Sequence, residues 1–497
     1  MDLEKVQGFL KKQAFPCVLL LLLLPLFFIN VSAYHDWGDD FAQYLDQTKL
    51  FLSGEQHIHL AVVNYEDICP SHRGSGFSLL ISPVYHFFGH DMQAFLLFIS
   101  FFAVATALLV FYFFTIELGE IVVKNKLLYV LMTLALFYNY HVLNLKMLVL
   151  PVFVFSFFLY LVFLLYRTHE KSMRHFLILA VLTGILISIR NLGWCLYLSI
   201  LVYFVLENRK NLVKSTLLSI AIILLVPWIV SSCITLLVVG QLNYQNVLWY
   251  ESVFSFSQIY TTIMHNLTVY FNTLQFFFEQ EVWGWLNVVI KSAVFFLFVL
   301  GLWKKFYERV QLYDVFFIVY LTVLLLYPYD GASYRFFFPV LPIVLLYVYY
   351  GIQAVQLPFS RSYFALSFFT LLLLSNYIRV QDIVKNPNST EIGPESQEAK
   401  DAFAYLNKKF DASTRIAFCK PSALHYYSNR KAVFTEITNT PEETMHFMKK
   451  HDCSLLLLCT DKTERGVCNP GLVNYVYSHS NFEEIWKNTK FALFQWK

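Results

Sequence analysis

Two uncharged apolar runs, Phe15–Ala33 and Leu217–Val239, restrict this chain more than any other feature of it. Each is long enough to cross about 30 Å of hydrocarbon, which takes roughly 20 apolar residues in helical form. A chain crossing lipid must satisfy its own backbone hydrogen bonds, so repeated runs of this kind imply a helical bundle. Further apolar segments fall near 92–115, 127–141, 147–166, 175–189, 192–206, 285–303, 312–328, 336–352 and 362–379, giving about eleven transmembrane helices in all. Charged residues are 14% of the chain, against about a quarter in soluble proteins, which excludes an ordinary soluble fold. A net charge of +3, with no basic patch interleaved with aromatics, argues for no nucleic acid as partner.

Orientation follows from the cations of the short loops. Lys5/Lys11/Lys12, Lys124/Lys126, Arg167/Lys171/Arg174, Arg209/Lys210/Lys214, Lys304/Lys305/Arg309 and Arg361 fall on alternate connections, all on one side. The positive-inside rule makes that side cytoplasmic, with the N-terminus on it and the C-terminal segment outside after eleven crossings. The first run resembles a signal peptide, but it exceeds a usual h-region and many spans follow, so it is expected to remain as an uncleaved first helix.

The opposite face collects the long loops. The first, 34–91, holds acidic residues and the partly apolar stretch Gly76–Gly89, which reads as a helix lying in the interface. Gly240–Gly284 is rich in Tyr, Trp and Phe, residues that settle at a headgroup boundary. From about residue 381 a polar, proline-bounded linker leads into alternating helical and strand-like patterns, with short apolar runs at Arg415–Cys419, Ala432–Thr435, Leu455–Cys459 and Phe491–Trp496. Thr440 with Glu442 and Glu443 opens a helix over 441–451. The expected organisation is a transmembrane domain, 1–380, and a small extracytoplasmic α/β domain, 381–497. Cys419, Cys453, Cys459 and Cys468 lie in the latter; they match no zinc pattern, and an oxidising compartment would permit disulfides among them or leave buried thiols.

The most informative polar stretch is His35-Asp36-Trp37-Gly38-Asp39-Asp40, directly after the first span. Adjacent carboxylates at a membrane boundary are costly unless solvated, paired or used. One reading is an acid/base or metal-coordinating site; the other is a helix start, with Asp39 or Asp40 capping the segment Phe41–Leu52.

Asp39-Asp40-Phe-Ala-Gln-Tyr44 resembles the acidic motif in the first external loop of GT-C membrane glycosyltransferases, in the branch containing protein O-mannosyltransferases and lipid A aminoarabinose transferases. Gly74–Gly89 is similar to that loop's interfacial helix, Asp330–Pro342 to the family's Arg-Tyr segment opening a late span, and Pro421–Arg430 to a recurrent segment of the tail. The motifs are short, and their order along the chain carries the likeness. The proline pair expected ahead of the interfacial helix is replaced by Ser71-His72-Arg73, a departure bearing on the acceptor pocket.

The resemblance implies a polyprenyl-phosphate sugar as donor and a glycan, lipid or protein as acceptor, with inversion at the anomeric carbon. A carboxylate must take the acceptor's proton as the bond forms. The family's base maps to Asp39, with Asp40 orienting the acceptor, assisting a metal or capping the helix. The leaving lipid phosphate needs fixed positive charge, best supplied by a guanidinium fork. Arg335, with Tyr334 beside it, Arg190 and Arg73 fall on the outer side, each otherwise a snorkelling anchor; Lys146 and His141 are weaker candidates. No cofactor is required, although Asp39, Asp40 and His35 could hold a divalent cation.

The alternative from another class is a transporter or flippase, which would show internal repeats, broken helices and ionisable groups near the midplane. No sequence repeat is present, and the polar chemistry gathers on one face. An inactive relative serving as a scaffold is a third reading, against which the retained acid pair argues.

Overall fold

The computed structural model describes residues 3–29, 37–54, 62–63, 74–119, 126–168, 172–208, 214–239, 256–273, 286–327, 333–356, 360–385, 393–434, 440–462, 464 and 467–497. The apolar stretches form helices in chain order. The first are α1 (Leu3–Phe28), α2 (Asp39–Ser53), α3 (Ser75–Phe88), α4 (Met92–Leu118), α5 (Lys126–Phe137) and α6 (Tyr140–Lys146). Then come α7 (Val152–Thr168), α8 (Met173–Ile189), α9 (Gly193–Asn208), α10 (Lys214–Val239), α11 (Phe256–Thr273), α12 (Leu286–Glu308) and α13 (Leu312–Leu325). A short α14 (Ser333–Phe337) runs through a 3-10 turn into α15 (Leu341–Ala354), and α16 (Arg361–Lys385) follows.

Among the described residues, four helices are long and apolar enough to cross a membrane: α4, α10, the α14–α15 run and α16. The pair α5–α6 makes a fifth, bent by 62°. Helices α7, α8, α9 and α13 are apolar but shorter, so length and composition alone establish fewer crossings than the eleven expected. The flanks of α10 and α12 expose Leu225, Trp228, Leu237, Val288 and Phe296, a surface that only lipid would cover favourably. Within the bundle Gly301 of α12 meets Gly351 of α15 so closely that a Cβ on Gly301 would fall 1.7 Å from the Tyr347 carbonyl oxygen. Small residues let membrane helices approach in this way, where apolar side chains gain nothing by leaving lipid.

Two local outcomes differ from the sequence reading. The segment expected over 127–141 is broken at 138–139, because Asn139 accepts a hydrogen bond from the His141 amide and restarts the helix as α6. The aromatic loop 240–284 contains α11. Its Asn266 Nδ2 donates to the carbonyls of Leu324, Leu325 and Tyr327, satisfying acceptors that the end of α13 leaves open. Asn266 is thus a buried structural residue.

Beyond residue 393 the chain builds α17 (Gln397–Lys409), β2 (Arg415–Phe418), α18 (Pro421–Ser428), β3 (Lys431–Phe434), α19 (Pro441–Lys450), β4 (Leu455–Cys459), α20 (Pro470–Ser478), β5 (Phe482–Lys487) and β6 (Phe491–Trp496). The four expected strands are present, and α19 begins on the expected cap, with Thr440 and Glu443 forming a reciprocal capping box. The sheet order is β1-β3-β2-β4-β6-β5, where β1 (Val62–Val63) comes from the connection between α2 and α3 and pairs parallel with Ala432–Val433. One face of the sheet, with α17 and α18, joins the core of the membrane bundle; the other packs Met448, Leu472 and Val476 of α19 and α20. This C-terminal unit, expected outside and called the outer unit below, is stitched to the bundle by core packing and by a strand.

Candidate active site

Asp39 is the first residue of α2 and Gly38 is its N-cap, with no side-chain capping bond. The capping reading of the acid pair is therefore replaced: both acids sit inside the first turn, where the positive end of the helix dipole favours carboxylates. The side chain of Asp39, and all of His35 and Arg73, lie outside the described residues.

Asp40 Oδ2 accepts a hydrogen bond of 2.7 Å from Arg335 Nη1 on α14. The Arg335 guanidinium carbon stands 5.1 Å from the centroid of the Phe336 ring. Arg190, at the C-cap of α8, stands 4.5 Å from the same ring, so two guanidinium groups share one aromatic platform. They lie close enough to repel one another. Arg190 Nη1 and Arg335 Nε are buried and find no hydrogen-bond partner among the described residues. Buried donors are normally satisfied, and a charged one left open is expensive.

Arg190 owes its place to α3. A Cβ on Gly74, the residue before α3, would lie 2.1 Å from the Ile189 carbonyl oxygen, so only glycine lets the start of α3 rest on the end of α8. Ser75 Oγ then meets Thr235 Oγ1 on α10 at 3.1 Å, and Ser78 Oγ donates to Gln47 Oε1 on α2 at 2.6 Å. Helix α3 thereby ties the acidic helix to α8 and α10. Tyr334 faces His141, ring to ring at 5.4 Å. Lys146 is buried and donates to the Ile29 carbonyl and to Ser100 Oγ, a structural tie.

The outer unit clamps α2 from the other side. Trp37, two residues ahead of Asp39, packs edge-on against Phe403, Phe418 and Phe491. Its Nε1 donates to Glu464 Oε2 at 2.6 Å, and the same carboxylate accepts from the Gly393 amide and from Lys490 Nζ, each at 3.0 Å. Gln43 Nε2 donates to Ser422 Oγ of α18 at 3.2 Å. Nearby, His90 bridges Tyr85 of α3 and Tyr426 of α18 at 3.1 and 2.7 Å. Burial, with Lys49 adding to it, holds the His90 imidazole below its ordinary range, so it bridges as the neutral ring.

Solved structures share this arrangement of elements. ArnT from Cupriavidus metallidurans bound to undecaprenyl phosphate aligns over 97% of this chain and 98% of its own, with a TM-score of 0.55 at 10% identity. Archaeal oligosaccharyltransferase AglB from Archaeoglobus fulgidus, in complex with an inhibitory peptide and a dolichol-phosphate, aligns over 97% of this chain and 74% of its own, with a TM-score of 0.53 at 12% identity. The A. fulgidus oligosaccharyltransferase complex with Zn and sulfate aligns over 96% and 73%, with a TM-score of 0.54 at 11% identity.

The chain has the GT-C fold.

No family model and no curated protein matches it, so the likeness lies in the architecture. Within this multi-pass membrane GT-C fold, the sequence-selected Asp40, Arg335 and Arg190 converge. Phe336, Glu464 and the His90 bridge are additions that only the structure reveals. A charge-bearing loop residue such as Glu464 reads as solvated, and one Phe among 51 carries no distinguishing signal.

Proposed function

We propose that this protein is an integral membrane glycosyltransferase that moves a sugar from a polyprenyl-phosphate donor to an acceptor on the extracytoplasmic face, with inversion. The observation that carries the reading is the pair of guanidinium groups on Phe336, whose buried N–H groups find no partner among the described residues, beside the acidic start of α2. Such donors fit an anion presented from the membrane, and a lipid phosphate has the charge and the geometry for guanidinium forks. Undecaprenyl phosphate in ArnT and dolichol-phosphate in AglB are lipids of this class.

In this mechanism Asp39 removes the proton of the acceptor hydroxyl as its oxygen attacks the anomeric carbon. The bond to the phosphate oxygen breaks on the opposite face, and the charge developing there is taken up by Arg190 and Arg335. Asp40 holds the Arg335 fork in place and balances part of its charge before the donor arrives. The Arg73 and Tyr334 positions complete the proposed donor site. Asp40 is already committed to a guanidinium, and the described residues offer no group of three metal ligands. The other two candidate ligands, the Asp39 side chain and His35, lie outside the described residues, and no step is assigned to a metal.

The proposed orientation places the N-terminus in the cytoplasm and the sheet outside. Arg167 and Lys305, expected inside, do gather around Glu117 at the end of α4 remote from the Asp40 site. The proposed units remain a bundle, 1–380, and an outer unit, 381–497, that takes up Val62–Val63. The broken helix α5–α6 with its buried Lys146 favours the transporter alternative. The bonds from that lysine to Ile29 and Ser100 instead fit a fixed brace.

The test is incubation of the purified protein with a panel of radiolabelled polyprenyl-phosphate sugars and acceptor extracts, scoring release of the lipid phosphate. Release from one donor class supports the transferase. No release from any of them, together with uptake of lipid-linked sugar into proteoliposomes, would replace it with the transporter.

A further inference from the structure

We propose that Cys459 and Cys468 are a disulfide site that closes the segment carrying Glu464 and so holds the clamp on Trp37. The inference rests on the outward orientation of the sheet proposed above.

Cys459 is the last residue of β4, and Cys468 returns to pair with it in an isolated parallel bridge. Bridge partners present their side chains on the same face of a sheet, and neighbouring strands lie about 4.7–4.9 Å apart, inside the Cα range of about 4.4–6.8 Å that a disulfide spans. Both side chains join the apolar cluster that holds Trp37, Phe418 and Phe491, and the two thiols lie within hydrogen-bonding reach of each other. The other described cysteines of the outer unit fit less well. Cys453 belongs to the cluster on the opposite face of the sheet, and Cys419 lies just past β2, outside the bridge that couples 459 with 468. Four cysteines allow three pairings, and the sheet selects one of its couples.

The residues between the two thiols include Glu464. Its carboxylate receives three donors from separate stretches of chain: Trp37, Gly393 and Lys490. Closing this short segment removes conformations in which the carboxylate swings away. The bond would therefore act on the part of the outer unit that grips the start of α2.

Formation is a thiol–disulfide exchange with an oxidant of the extracytoplasmic side that itself carries a disulfide. Cys468 is the more accessible sulfur, whereas Cys459 is fully buried and burial pushes its thiol up to about 12. Cys468, as the thiolate, attacks one sulfur of the oxidant and displaces the other as a thiolate. Cys459 then gives up its proton and attacks Cys468 Sγ, expelling the second oxidant sulfur. Two protons and two electrons pass to the oxidant, which leaves as a dithiol.

The experiment uses the full chain with a C-terminal tag, expressed in cells, quenched with an alkylating agent and digested without reduction. A cross-linked peptide joining Cys459 to Cys468, lighter than the two thiol peptides by two hydrogens, is the expected result. Cys468→Ser should abolish that peptide and speed proteolytic cleavage between 459 and 468 on the order of tenfold in purified protein. Accessibility of the tag to protease in intact cells reports the orientation separately. Both thiols found alkylated while the tag is reached from outside would overturn the disulfide, as would Cys468 joined to Cys419 or to Cys69. A tag reached only after permeabilisation would overturn the orientation, and the disulfide with it.

Discussion

Helix α4 runs 27 residues, roughly 40 Å at about 1.5 Å per residue, and charge is treated differently near its two ends. Near Leu118, Glu117 meets Arg167 at 3.6 Å, Lys305 at 3.9 Å and the Tyr313 hydroxyl at 2.8 Å. A cleft of about 140 Å³ opens beside it, lined by Tyr203, Glu207 and Arg309 as well, so acids and bases face one another across it. On the side of α3 and α8, Arg190 at the C-cap of α8 and Arg335 of α14 stand over one phenyl ring, and buried N–H groups of both find no partner among the described residues. Paired clusters hold helices together; guanidinium N–H groups left without a partner among the described residues are suited to something that arrives later. The distinction matters because sequence alone shows only cations at both ends.

The sharpest way to break this comparison is to remove the proposed base. Asp39→Asn keeps the size and polarity of the first-turn residue and should lower transfer by about 10²–10⁴, the usual contribution of a general base. Membrane expression and melting behaviour should stay close to wild type. Full transfer by this variant would move the catalytic role elsewhere.

A smaller loss should follow from the guanidinium groups. Arg335→Ala and Arg190→Ala each remove charge-assisted bonds to the donor phosphate, an effect of about 1.5–3 kcal/mol, or roughly 10–100-fold in kcat/KM. Arg335→Lys should recover little, because an ammonium cannot pair with Asp40 and a phosphate through one planar fork. The measurement is donor dependence of initial rates. An unchanged donor dependence in both alanine variants would remove the outer cluster from the phosphate site.

The other end supplies the control. Glu117→Gln keeps an acceptor for Tyr313 but leaves Lys305 and Arg167 without their carboxylate. It should cost about 1–3 kcal/mol of stability, read as a lower melting temperature, while transfer per folded molecule stays within about twofold. A variant of normal stability and impaired transfer would show that the two ends are not functionally distinct.

Asp40, Arg190 and Arg335 are legible in the sequence because charge is rare in so apolar a chain and each instance demands a reason. The strands β2, β3, β4 and β6 are legible from apolar runs, and α19 from its cap. Strand β5 is not, since it lies at the sheet edge with an irregular, half-exposed pattern. Strand β1 is two residues long and exists only because β3 offers it an edge. Glu464 is hidden for a related reason: Trp37 lies 427 positions away in the chain, and no local pattern announces so distant a partner. Periodicity reports what an element buries, not which remote element it is buried against.

The smallest effect should come from His90, which joins the bundle to the outer unit through Tyr85 and Tyr426. Burial is the main cause of its lowered pKa, Lys49 adds to it, and Glu395 opposes both. A histidine whose folded value lies below its unfolded one, about 6.5, stabilises the fold fully above that value. The contribution fades as pH falls through the folded value, because the unfolded chain then binds the proton more readily. Acidification below about 6.5 should therefore loosen the outer unit, seen as faster hydrogen exchange in α18. His90 is exposed and solvent screens it, so the change should be modest. His90→Gln should flatten this pH response while leaving the Glu117 cluster unaffected. An identical response in that variant would assign the acid sensitivity to His425, whose pKa burial also lowers on the same helix.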